Sequence, residues 1–142
     1  MTLTRDRRAE LLAAAPLLAE VDAPGLGRIA DRTVEVVFTD GHVIARQGEI
    51  GTGFFMIAAG SARVVRDGQT IATLGPGDFF GELSVLDGRP RVAGVIAEGE
   101  TTCLALASWD LEAVITEQPS VALGLLRGLA ERLRALTEAG RH

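Results

Sequence analysis

From Thr33 to Ala107 the chain alternates short runs of β-branched and aromatic residues with turn signals, and this texture limits the possible folds more than any other feature. The runs are 34–39, 42–46, 53–59, 62–66, 70–74, 92–97 and 101–107. Between them stand Asp40-Gly41, Glu49-Ile50-Gly51, Ala59-Gly60-Ser61, Asp67-Gly68, Gly75-Pro76-Gly77 and Glu98-Gly99-Glu100. Turns that recur roughly every eight to ten positions suggest an antiparallel jelly roll or barrel. Asp67-Gly68 is the strongest hairpin signal, because both residue types tolerate the left-handed backbone of a tight two-residue turn.

Helical patterns flank this stretch. Residues 4–15 predict a short helix with Leu11 and Leu12 inward, broken at Pro16-Leu17-Leu18. Asp22-Ala23-Pro24 then predicts a second helical start running to about Asp31, with proline just inside the first turn. From Ser108 the period turns helical again. Ser108 is a candidate N-cap for 109–117, with Asp110 and Glu112 in the first turn. Pro119 opens a last helix to about Ala139, in which Ala122, Leu126, Leu129, Leu133 and Leu136 form a short seam. Val121, Leu125 and Leu123 widen that apolar face, so one side is expected to pack on the roll while another meets a second helix. The expectation is a mainly β chain with flanking helices: a double-stranded β-helix (jelly roll), an N-terminal helical bundle and two C-terminal helices. It forms one domain over 1–142, divided as 1–32, 33–107 and 108–139.

Composition narrows the function classes. A chain of 142 residues suffices for a single core. A net charge of −5 argues against direct binding of nucleic acid. The lone Cys103 lies in an apolar run, reads as packing, and allows no intrachain disulfide. No leader-like N-terminus and no apolar run of spanning length occur, so a cytoplasmic location without membrane insertion is expected. His42 and His142 cannot build a metal triplet with one cysteine, and Ser84 has no base in local sequence. No metal and no catalytic set are therefore expected, and the chain does not read as an enzyme. Phe54, Phe55, Phe79, Phe80 and Trp109 read as core or hinge packing rather than a base-stacking platform.

One segment, 79–93, interrupts the strand series without closing the roll. It runs Phe79-Phe80-Gly81-Glu82-Leu83-Ser84 and then, past Gly88, Arg89-Pro90-Arg91-Val92-Ala93. An acid and an arginine across a glycine-flanked loop suit a ligand that carries both an anion and a hydroxyl. Arg91 offers a planar fork of donors to the anion, and ionised Glu82 accepts from the hydroxyl. The competing reading is a surface salt bridge in a loop, which contributes little.

Gly81-Glu82-Leu83-Ser84 followed by Pro90-Arg91-Val92-Ala93 resembles the phosphate-binding cassette of the cyclic nucleotide-binding domain. That family includes the catabolite activator, the regulatory subunit of protein kinase A and cyclic nucleotide-gated channels. The resemblance implies that Glu82 binds the ribose 2′-hydroxyl, that Arg91 binds the cyclic phosphate, and that backbone N–H groups between them complete the site. Its ligand set here is Phe80, Gly81, Glu82, Leu83, Ser84, Arg91, Val92, Ala93 and Thr137. Val92 departs from the small or hydroxylated residue usual there, which favours cAMP over cGMP; it either crowds the ligand or points into the roll. Arg89 competes with Arg91 for the phosphate but matches the motif less well and reads as a solvent-facing charge that assists at most. Matching the last helix puts Leu136 and Thr137 at purine-contacting positions, with only Thr137 keeping a hydroxyl; Arg132 and Arg134 are alternative lids.

In transcription-factor relatives a helix-turn-helix module follows the last helix, whereas this sequence stops at Gly140-Arg141-His142. The expectation from the resemblance is a stand-alone cAMP sensor, with an eight-stranded roll holding the cassette, acting by population shift on an unknown protein partner. In it Leu83 and Val85 repack, Phe79-Phe80 act as a hinge, and the last helix offers a homodimer seam. Two alternatives stay open: a ligand-independent dimerisation or docking module, and a small jelly-roll enzyme of cupin type.

Overall fold

The computed structural model describes residues 3–15, 18–81 and 87–138. Glu82, Leu83, Ser84 and Val85 of the expected site, the break at Pro16-Leu17 and the end of the last helix at Ala139 lie outside the described residues. Two compact units emerge, one built on Thr33–Trp109 and the other on Thr4–Arg32 with the helices that follow Trp109.

The first unit is an antiparallel roll. Among the described residues its strands are β1 (Val34–Phe38), β2 (Val43–Ala45), β3 (Gly53–Arg66), β4 (Gln69–Leu74), β5 (Phe79–Phe80) and β6 (Gly94–Ala107). The sheet order is β1-β6-β3-β4, with β2 also on β6 and β5 also on β3. The strand count is therefore six rather than eight among the described residues. The difference has a physical cause. The turns expected at Ala59-Gly60-Ser61 and Glu98-Gly99-Glu100 do not reverse the chain but are bulges inside two long strands, β3 and β6, whose register shifts around Ala59. Gly60 and Gly99 take positive φ (91° and 71°), the conformation of a glycine bulge. A Cβ on Gly60 would lie 2.5 Å from the Glu100 carbonyl oxygen, so the bend brings the two backbones too close for any side chain.

Asp67-Gly68 is the expected hairpin. It joins β3 to β4 with Arg66 opposite Gln69. Both turn residues have positive φ, 51° and 79°, as a type I′ turn requires. Gln47 braces the turn, donating to the Asp67 carboxylate and accepting its backbone N–H, each at 2.9 Å.

Phe79–Phe80, expected as core or hinge packing, forms part of the sheet. It is a short ladder-paired strand, Phe80 opposite Phe55 and Phe79 opposite Met56. Phe80 stacks on Phe55 at 5.2 Å and belongs to the buried cluster of Ala45, Ile57, Ala62, Val95 and Cys103. Strand alternation explains that cluster, since Ala62 and Val64 face inward from β3 while Arg63 faces out.

The helical unit holds α1 (Arg5–Ala13), α2 (Ala23–Arg32), α3 (Ser108–Glu117, whose first two residues belong to the roll) and α4 (Ser120–Glu138). Thr4 caps α1 by accepting from the Arg7 N–H at 3.1 Å. Asp22 caps α2 through the Gly25 N–H at 2.8 Å. Gly25 and Gly124 let backbones approach: a Cβ on Gly25 would fall 2.9 Å from Val121, and one on Gly124 would fall 2.9 Å from the Glu20 carbonyl. Arg28 and Arg32, one turn apart on α2, hold Glu117 at 3.0 and 2.7 Å, and Arg32 also holds Asp110 at 3.2 Å. Among the described residues no helix is long and apolar enough to cross a membrane, which says nothing of membrane barrels.

Candidate functional site

The roll encloses a cavity of about 500 Å³, within the range that suits a small-molecule ligand. Its inner walls are aliphatic and aromatic: Ala45 from β2, Val64 from β3, Leu74 from β4, Phe79 and Phe80 from β5, Val95 from β6. Its other side is the chain from Asp87 to Ala93, with Gly81. Among the described residues the cavity is thus apolar at depth and carries charge along one segment, an arrangement for a ligand with a flat apolar part and an anionic part.

Arg91 supplies that charge from a fixed position. Its backbone N–H donates to the Glu49 carbonyl and its own carbonyl accepts from the Gly48 N–H, both at 2.8 Å. Pro90 bridges to Ile50. The guanidinium Nη2 donates to the Gly53 carbonyl at 3.0 Å. Glycine makes room for it on two sides. A Cβ on Gly81 would stand 2.5 Å from Nη1, and one on Gly51 would collide with the same group. Gly81 also has φ of 88°, so the position excludes other residues on conformational grounds as well. A half-buried guanidinium with its fork set by backbone is prepared for an oxyanion before one arrives.

Of the expected ligand residues, Phe80, Gly81, Arg91, Val92 and Ala93 line this one cavity. Val92 is 68% exposed at its rim, so the alternative that it points into the roll does not hold. Thr137 stands on α4 in the other unit, where its hydroxyl donates to the Leu133 carbonyl at 2.9 Å. Trp109 also departs from expectation. It is 63% exposed, because Leu111 and Val114 take the buried face of α3 and Trp109 is out of phase with them. It borders a second hollow of about 400 Å³ that Arg91 also lines.

Sequence reasoning missed the apolar walls Ala45, Val64, Leu74 and Val95. Alternation along β3 could have oriented Val64, but only the register of several strands brings the walls together. It also missed Gly51 and Gly53, whose part depends on a contact with a residue far along the chain.

A profile described as the cyclic nucleotide-binding domain matches residues 35–118, a span holding both the roll and Arg91. The chain belongs to the cyclic nucleotide-binding domain family. It is 41% identical over 103 residues to the cyclic AMP receptor protein of Thermus thermophilus, covering 69% of this chain and 48% of that protein. It is 36% identical over 96 residues to a cAMP-dependent protein kinase regulatory subunit of Blastocladiella emersonii, covering 64% of this chain and 24% of that one. The fold matches the N-terminal domain of a transcriptional regulator from Streptomyces coelicolor with a TM-score of 0.80 and 32% identity, covering 91% of this chain and 93% of that one. This cyclic nucleotide-binding domain therefore spans about half the length, or less, of these two curated relatives.

Proposed function

We propose that this cyclic nucleotide-binding domain binds cAMP, in preference to cGMP, as a regulatory sensor with no chemistry of its own. The observation that carries the reading is the Arg91 guanidinium, seated among Gly51, Gly53 and Gly81 at the side of an apolar cavity. A cyclic phosphate meets that fork, and the purine takes the wall of Val64, Leu74 and Val95. By the family motif, Glu82 accepts from the ribose hydroxyl, and Leu83 and Ser84 complete the cassette beside Phe80, Gly81, Val92 and Ala93. Val92 has no hydroxyl for a guanine amino group, which favours adenine. The names of the two curated relatives support the same ligand.

Binding acts by shifting a conformational equilibrium, and a ligand can shift it only by its difference in affinity for the two states. Calorimetric titration of the purified chain with cAMP and cGMP tests the reading. Binding of cAMP with weaker cGMP is expected; absence of binding to both overturns it.

A second reading is favoured by α4. Leu126, Leu133 and Leu136 are 62, 66 and 49% exposed along one helix, an apolar stripe that suits a homodimer or a protein partner whether or not a nucleotide binds. Sedimentation of the wild type and of Leu133→Glu with and without cAMP separates the two. A dimer that Leu133→Glu abolishes, in a chain indifferent to cAMP, would favour the docking module.

A further inference from the structure

Resting on the cyclic-nucleotide reading above, we infer that Arg89 is a second anion-recognising residue, so that the cavity meets a phosphodiester with two guanidinium groups rather than one. Arg89 and Arg91 both line the cavity. Backbone geometry explains why. Pro90, between them, pairs in a β-bridge with Ile50, and in an extended segment residues two apart project to the same side. The arginine fork cannot lose its charge and matches paired oxygens, so two forks on one side suit a phosphodiester's two free oxygens.

Arg89 is exposed, but its backbone is held on both sides. Its N–H donates to the Asp87 carboxylate at 2.9 Å, an Asx turn, and the proline that follows has its φ fixed by its ring. Asp87 lines the cavity too. Its negative charge offsets one of the two arginines, and the ionised Glu82 of the proposed reading offsets the other, so recognition rests on the direction of the two forks and not on an excess of charge.

The test is calorimetry on the full chain with cAMP and with uncharged adenosine, at low and high salt, for wild type, Arg89→Gln, Arg89→Lys and Arg91→Ala. Arg89→Gln is expected to weaken cAMP binding about tenfold at low salt, to flatten its salt dependence and to leave adenosine unchanged. Arg89→Lys is expected to restore the salt dependence. Wild-type affinity and salt dependence in Arg89→Gln, with binding lost in Arg91→Ala, overturns this inference and leaves the cAMP reading standing. Equal losses for cAMP and adenosine also overturn it, because a structural role weakens both. Absence of cyclic-nucleotide binding in the wild type overturns the reading itself and this inference with it.

Discussion

The guanidinium of Arg91 donates to the main-chain carbonyl of Gly53 at 3.0 Å, so the charge at the cavity is oriented by β3, the strand that also supplies Val64 to the cavity wall. Gly81 lies beside the same group, and a Cβ there would stand 2.5 Å from Nη1 and 3.2 Å from the Gly53 carbonyl oxygen. Gly81→Ala must therefore displace the guanidinium and strain a backbone of positive φ. Calorimetry is expected to show cAMP affinity lower by at least about tenfold. A thermal melt on the same sample should fall by only a few degrees, roughly the shift of a ~1 kcal/mol change.

Alkaline pH probes one group with unusual clarity. Cys103 is fully buried, and burial pushes its thiol from 9.0 up to about 12. The folded state therefore keeps a proton that the unfolded state releases. The resulting stability is fully present below the ordinary thiol range and is lost as pH rises from about 9.0 toward about 12. The chain has no tyrosine and no lysine, so no other side chain crosses its ordinary pKa in that window. Urea midpoints measured from pH 8 to 11 should fall in the wild type and stay nearly level in Cys103→Ala.

Phe80 is 6% exposed and stacked on Phe55 at 5.2 Å, with Phe38 edge-on to Phe55 at 6.1 Å. Truncating it removes a core ring and enlarges the cavity it borders. Phe80→Ala is expected to cost about 3–5 kcal/mol by urea denaturation. Phe80→Leu, which keeps most of the volume, should cost about half of that.

Arg32 bridges Asp110 and Glu117, which lie about two turns apart on α3, at 3.2 and 2.7 Å. The pairs are partly exposed and open to screening, so Arg32→Met is expected to cost only about 1 kcal/mol at low salt, a cost that shrinks at high salt. Denaturation midpoints of both proteins across a salt series would show it; a salt-independent difference would assign the effect to packing of the side-chain stem.

How much was legible in the sequence depended on whether a signal had one meaning or two. Asp67-Gly68 could be read, because two adjacent residues that tolerate positive φ between alternating strands fit little else. Gly60 and Gly99 could not, since a single glycine of positive φ serves a chain reversal and a bulge equally well. Only the pairing of β3 with β6 decides between them. Phe79–Phe80 is too short to show a period, and its identity as a strand comes from pairing with Phe55 and Met56. Arg91 announced itself through the residues around it, while its support from Gly51 and Gly53 arises from a contact between distant segments. The apolar walls were hidden for the same reason: each is an ordinary inward-facing residue until neighbouring strands place it.

The roll begins and ends on paired strands, with Val34 opposite Ala105, and the residues just outside it, Arg32 and Asp110, are themselves joined. Entry and exit thus share one doorway. A segment of that kind can be spliced into a surface loop of a foreign host without prising the host's own chain apart, since domains whose ends meet are well tolerated as insertions. Such a splice lengthens nothing in the host but a single loop.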